Sequence, residues 1–241
     1  MVTSAYRERP SRLPGAVLWS RTVAEADTGR PVLPDGCIDL LWSEGRLVVA
    51  GPDTAAFRPA APVGAAFAGI RFYPGSAPAL LGVAADALRD RRVDLADLWP
   101  AAIVRGLTAR VDDAADRQAA LEQIAIDRAA RADPPDPVLR GIVRAAARGR
   151  SVADIAEWTG MHPRMLHRRA TAAFGYGPKT LTRVLRFQRA LALTRAGAAP
   201  AEAAAVTGFA DQAHLSREVR ELSGMPLRRL LAGDPLDSRS G

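Results

Sequence analysis

A chain of 241 residues is long for one small helical domain and suits two domains of ordinary size. Its formal charge of +7 favours a polyanionic partner, and that charge is local: residues 1–136 carry a net −2, residues 137–233 carry +10 and residues 234–241 carry −1. A single cysteine, Cys37, excludes an internal disulfide, and no run approaches the roughly 20 apolar residues of a bilayer span.

The start MVTSAYRERP lacks the apolar core of a signal peptide, so the expected location is cytoplasmic, with no membrane partner. Apolar runs from Val17 to Ser20, Ile38 to Trp42, Leu47 to Ala50 and Ala66 to Tyr73, parted by Pro and Gly clusters, predict strands over about 13–75. A small β barrel or sandwich is the expected architecture. Alternation sets Ile38, Leu40 and Trp42 against Cys37, Asp39 and Leu41, and Ile70 and Phe72 against Arg71 and Tyr73.

Asp39, Arg71 and Tyr73, with Trp19 or Phe67 nearby, are thus candidate effector-binding residues, Arg71 suiting a carboxylate or phosphate; a structural ion pair is the alternative. Cys37 is a candidate redox or alkylation sensor, or a buried structural thiol. All three histidines (162, 167 and 214) lie in the second half, which deprives a metal-bearing barrel of its usual ligands, and no cofactor is expected.

From Pro78 the spacing turns helical, through LLGVAADALRD and DLADLW to Ile103–Val111 and Leu121–Ala129, predicting helices over about 76–131. Leu107, Val111, Leu121, Ile124 and Ala125 share one helical spacing there, suited either to a second copy of the chain or to the chain's own barrel. RADPPDP, ending at Pro137, stops helix and strand alike. The expected domains are 1–132, for effector binding or oligomerisation, and 138–232, with a linker at 133–137 and a disordered tail at 233–241.

Beyond the linker the pattern is helical. Ser151 with Asp154 is a capping-box variant, and Ile155, Ala156, Gly160 and Leu166 fall where a helix-turn-helix requires a plug, a small residue, a turn and a second plug. The next helix, HPRMLHRRATAAF, is expected to bury Met165, Leu166 and Ala170 and to present Arg164, His167 and Arg168. About 48 residues on, AEAAAV, Gly208, Phe209 and DQAHLSREVREL repeat the plan, with Leu215 and Val219 inward. Pro178 opens a connecting helix with Leu181, Val184, Leu185 and Leu191 on one side; about 16 residues span roughly 24 Å, a scale suited to reading heads that enter major grooves ~34 Å apart.

The stretches GMHPRMLHRRATAAFGYGPKTLTRVLRFQRALAL and AAAVTGFADQAHLSREVRELSGMPLRRL resemble the double helix-turn-helix domain of AraC/XylS-type regulators over about residues 137–232. Val219 departs from the usual aromatic, and the stretch after Pro226 lacks the usual Tyr or Phe. The resemblance implies an α+β chain of two domains: a β-rich, cupin-like N-terminal barrel or sandwich with helices, then an all-α DNA-binding domain. It implies base contacts at Arg164, His167, Arg168, Asp211, Gln212, His214 and Arg217, and a phosphate contact at Ser216. The implied function is a transcriptional regulator, not an enzyme, with promoter DNA and a small-molecule effector as partners, and a homodimer mate and RNA polymerase as further ones. The competing expectations are a DNA-targeted alkyl-transfer enzyme using Cys37, and a DNA-binding protein without sequence preference.

Overall fold

The computed structural model describes residues 6–25 and 31–232; the tail expected to be disordered lies outside the described residues. The first half contains β1 (Arg7–Pro10), β2 (Ala16–Thr22), β3 (Ile38–Ser43), β4 (Arg46–Ala50), β5 (Ala66–Phe72), α1 (Ala77–Leu81), β6 (Arg92–Asp94), α2 (Ala101–Asp112) and α3 (Arg117–Ala129). The strands form one antiparallel sheet in the order β1-β2-β5-β3-β4-β6.

Register explains which face is core. Leu18 and Leu40 both pair with Ile70, and Val49 pairs with Val93, so one apolar face runs across the central strands. Helices cover it: Leu81, Trp99, Val104, Val111, Leu121 and Ile124 pack with these residues into a single core. Burying a side chain such as Leu121 contributes about 1.5–3 kcal/mol. The apolar residues expected to meet either a second copy or the chain's own sheet therefore meet the sheet, with Leu107 partly buried beside them.

The α+β expectation stands, and two details differ. Among the described residues the sheet is open, with β1 and β6 at its edges, where a closed barrel or a sandwich was expected. β1 precedes the expected strand region and β6 interrupts the expected helical one. β1 is an exposed edge strand, RERP, and β6 has three residues with Val93 alone inward. Neither is long enough or apolar enough to show a period of two.

The second half is α4 (Pro137–Ala147), α5 (Val152–Thr159), α6 (Pro163–Phe174), α7 (Pro178–Arg195), α8 (Pro200–Thr207), α9 (Gln212–Ser223) and α10 (Leu227–Ala232). Proline opens α4, α6, α7 and α8, where its missing N–H costs nothing. α7 is a shared spine of 18 residues, roughly 27 Å long. Its Leu181 and Val184 belong to a core with α4, α5 and α6, while Phe187, Ala190 and Leu191 belong to a second core with α8, α9 and α10.

The halves touch through loops. Arg89 Nη1 donates to the Gly175 carbonyl at 3.1 Å, Gln188 Nε2 to the Pro34 carbonyl at 2.5 Å, and the Ala56 N–H to the Leu222 carbonyl at 2.8 Å. Leu33 packs on the second helical core.

Candidate nucleic-acid interface

Each helix-turn-helix unit is assembled from local signals. In the first, Ser151 caps α5 and Asp154 returns the bond in a capping box. Gly160 ends that helix at φ +64°, and Gly208 ends α8 at φ +81°, a region that disfavours a side chain. Ile155, Ala156 and Leu166 are buried in the first unit; Ala203, Ala204, Leu215 and Val219 are buried in the second.

The N-caps put the second helices of the two units, α6 and α9, into one frame. His162 caps α6, its Nδ1 accepting from the Arg164 N–H at 3.3 Å, and Asp211 caps α9, accepting from the His214 N–H at 2.6 Å. A buried leucine follows each cap by four residues (Leu166, Leu215), an exposed arginine by six (Arg168, Arg217) and the terminating glycine by thirteen (Gly175, Gly224). The turn in the second unit is one residue longer, so the repeat is 48 residues for the first helix of each unit and 49 for the second. Arg168 and Arg217 are structurally equivalent, and neither guanidinium has a partner among the described residues. A guanidinium left unpaired in this way presents two parallel N–H donors to acceptors such as guanine O6 and N7.

The other expected contacts differ in availability. Arg164 and Gln212 are exposed in the first turns of their helices. Ser216 is half-buried and is the equivalent of His167. His167 is exposed, but its ring lies against Gly177, where a Cβ would stand 2.7 Å from Nε2. Asp211 is occupied as the cap, and the His214 ring stands perpendicular to that of Phe209, 5.2 Å between centroids. Met165, expected inside, is 50% exposed; it stands one position before the buried Leu166, on the outer side of α6.

Arginines of α7 that the sequence did not single out hold the second unit in place. Arg183 of α7 donates to Glu218 at 2.5 Å and also pairs with Glu221, both on α9. Arg186 stacks on Phe209 at 4.2 Å, at the turn of the second unit. The signal was available only as acidic residues on α9 opposite the arginines of α7.

In the first half, Trp19, Asp39 and Arg71 come together. Trp19 Nε1 and Arg71 Nε donate to Asp39 Oδ1 at 2.6 and 3.2 Å, and Trp19 lies across Gly69. Arg71 also faces Asp35 at 3.5 Å and Glu8 at 3.4 Å. Burial pushes the Asp39 carboxyl above its ordinary value, while Arg71 pulls the other way. Three carboxylates already surround Arg71, so the structural ion pair describes this cluster. Phe67 stands apart on another cavity wall with Trp42 and Arg117, and Tyr73 is half exposed beyond the end of β5. Burial and the neighbouring Asp35 raise the Cys37 thiol well above its ordinary pKa, leaving little nucleophilic thiolate.

Residues 149–233 match a family described as a helix-turn-helix domain. The C-terminal domain is an AraC-type helix-turn-helix domain. Residues 16–94, from β2 to β6, match a domain of unknown function, DUF6597. No curated protein matches the chain. Among solved structures, apo ToxT from Vibrio cholerae strain SCE256 is similar at 12% identity, covering 92% of this chain and 99% of that one, with a TM-score of 0.48. The P21 form of ToxT from Vibrio cholerae is similar at 10% identity, over 91% and 98%, with a TM-score of 0.49. The unsaturated-fatty-acid-bound wild-type ToxT of strain SCE256 is similar at 11% identity, over 92% and 97%, with a TM-score of 0.46. The AraC-type domain speaks for a DNA-binding regulator rather than an enzyme. Among the described residues no helix is long and apolar enough to cross a membrane.

Proposed function

We propose that this chain regulates transcription by reading a two-part promoter site, α6 entering one major groove and α9 the next, under control of a small molecule bound by the first half. The observation that carries the reading is the equivalence of Arg168 and Arg217: same distance from the cap, same exposure, neither engaged elsewhere. A protein binding DNA through charge alone has no need of two arginines in matched positions on matched helices. Arg164 and Gln212 are the next base contacts in this reading, with Ser216 on phosphate; His167 and His214 contribute only if their rings leave Gly177 and Phe209. A second copy of the chain and, for an activator, RNA polymerase are its further partners, and the cytoplasm its place of work.

The Cys37 alkyl-transfer reading requires a reactive thiolate, which the half-buried thiol, raised beside Asp35, disfavours. Competition binding with purified protein at about 150 mM salt tests the regulator, because salt suppresses the non-specific term. The selected duplex is expected to outcompete a scrambled one by at least about 10³-fold. Equal competition by the two contradicts the reading.

A further inference from the structure

The helical layer of the first half carries a partly open cavity of about 450 Å³ between the end of α1, the turn before α2, and α2 and α3. That size falls within the range of small-molecule sites, roughly 300–1,000 Å³. Trp99, Ile103, Leu107 and Ile124 give it an apolar wall, and Arg110, Arg128 and Arg131 face it against a single carboxylate, Asp127.

Its polar groups are arranged in advance. Trp99 is buried, with its indole N–H donating to the Leu81 carbonyl at 2.9 Å. The Arg128 guanidinium lies 4.3 Å above that indole, and its Nε donates to the Leu80 carbonyl at 3.1 Å, so Arg128 is fixed while its outer N–H groups remain. Asp127 accepts from Gln123 at 2.9 Å and stands 3.7 Å from Arg110, too long for a tight pair. The Arg131 guanidinium has no hydrogen bond or ion pair among the described residues, the residue's one bond being from its backbone N–H to the Arg128 carbonyl at 3.0 Å. The contrast with Arg71 is direct, since that guanidinium is already surrounded by carboxylates. Arginines at the end of α3 also favour its C-terminal dipole, but that role requires neither Arg110 from α2 nor an unfilled cleft with an apolar wall.

We infer that this cavity binds a small organic acid, its carboxylate against Arg110, Arg128 and Arg131 and its apolar body against Trp99, Ile103 and Leu107. The inference rests on the regulator reading above and moves the effector site from the Asp39–Arg71 cluster to the α2–α3 cavity.

Isothermal titration of the full chain with 4-phenylbutyrate and with octanoate tests the site, with 4-phenylbutylamine as the charge-reversed control. Saturable binding of at least one acid is expected, with the amine at least tenfold weaker. The Arg110→Ala/Arg131→Ala variant, altered at exposed side chains, is expected to lose at least tenfold in affinity for the acid. Leu107→Trp, which fills the cavity and leaves the charges in place, is expected to abolish binding. No binding of either acid, equal binding of the amine, or unchanged affinity in both variants overturns the inference. So does a dimer in sedimentation that Ile103→Arg dissociates, if no acid binds, because a second copy then occupies the face. Selective DNA binding measured on the same preparation separates the two failures: if it survives while acid binding fails, only the effector site falls.

Discussion

Arg168 and Arg217 occupy the same place in their reading helices, so each is expected to govern a different half of one site. Arg168→Ala and Arg217→Ala should each cost about 1–3 kcal/mol of discrimination at one half only, read by competition with duplexes altered in either half. Asp211 was legible as part of the reader but not as its cap, because an Asp before a helix satisfies both descriptions. Asp211→Ala is expected to lower stability by about 0.5–2 kcal/mol, and Asp211→Ser, which also caps, to restore it, both read from urea midpoints. A third test concerns Glu122 of α3, which accepts from the Arg12 N–H at 2.6 Å, Arg12 Nε at 2.8 Å and Ser11 Oγ at 2.8 Å. Against the desolvation of its burial, these bonds hold its carboxyl below the ordinary glutamate value. A depressed folded-state pKa stabilises the protein above the unfolded-state value, and that contribution is lost as the pH falls through the folded-state value. Urea midpoints measured from pH 7 down to pH 3 should therefore show a shallower acid decline in Glu122→Gln than in the parent.

The α7 helix shows what an element does that its residues alone do not. One end belongs to the first unit's core and the other to the second's, so the separation of the readers is the length of a single rigid helix. Arg183, reaching Glu218 and Glu221, ties the rotation of α9 to that helix. Arg183→Ala is expected to relax the preferred spacing of half-sites while leaving each half's sequence preference unchanged, measured by selection from a library of variable spacers. Tolerance of only the original spacing would contradict this role. The elements legible in the sequence were those with a long period or a strong stop: four strands near their observed limits, both helix-turn-helix units, and the proline-opened α7. β1 and β6 were not, being short and largely polar. The closure of the sheet was also beyond reach, since alternation gives the face of each strand and not the order of its neighbours.

Across the whole molecule, the contacts between halves come from loops distant in sequence, Pro34 to Gly36, Pro52 to Ala56 and Pro74 to Gly75, which meet the end of α6 and the GYGP turn, Leu139 of α4, Gln188 of α7 and the end of α9. No periodicity encodes such meetings, which is why the sequence separated the two halves and gave no sign of their packing. Gly175 is buried there at φ +84°, and a Cβ would lie 2.5 Å from Pro52 Cγ and 3.2 Å from the Ala85 carbonyl. Gly208 has nearly the same φ, +81°, and open space around it. Both Gly→Ala changes cost backbone strain of about 1–2 kcal/mol, and only Gly175→Ala should also part the halves, read as faster tryptic cleavage after Arg131. The central claim, one chain reading two half-sites with two matched helices, is tested most directly by selecting genomic fragments with purified protein at about 150 mM salt, beside Arg168→Ala and Arg217→Ala. The account predicts a two-part motif with its parts about one helical turn apart, each variant blurring a different part. A motif absent from the wild type, or unchanged in both variants, would contradict it.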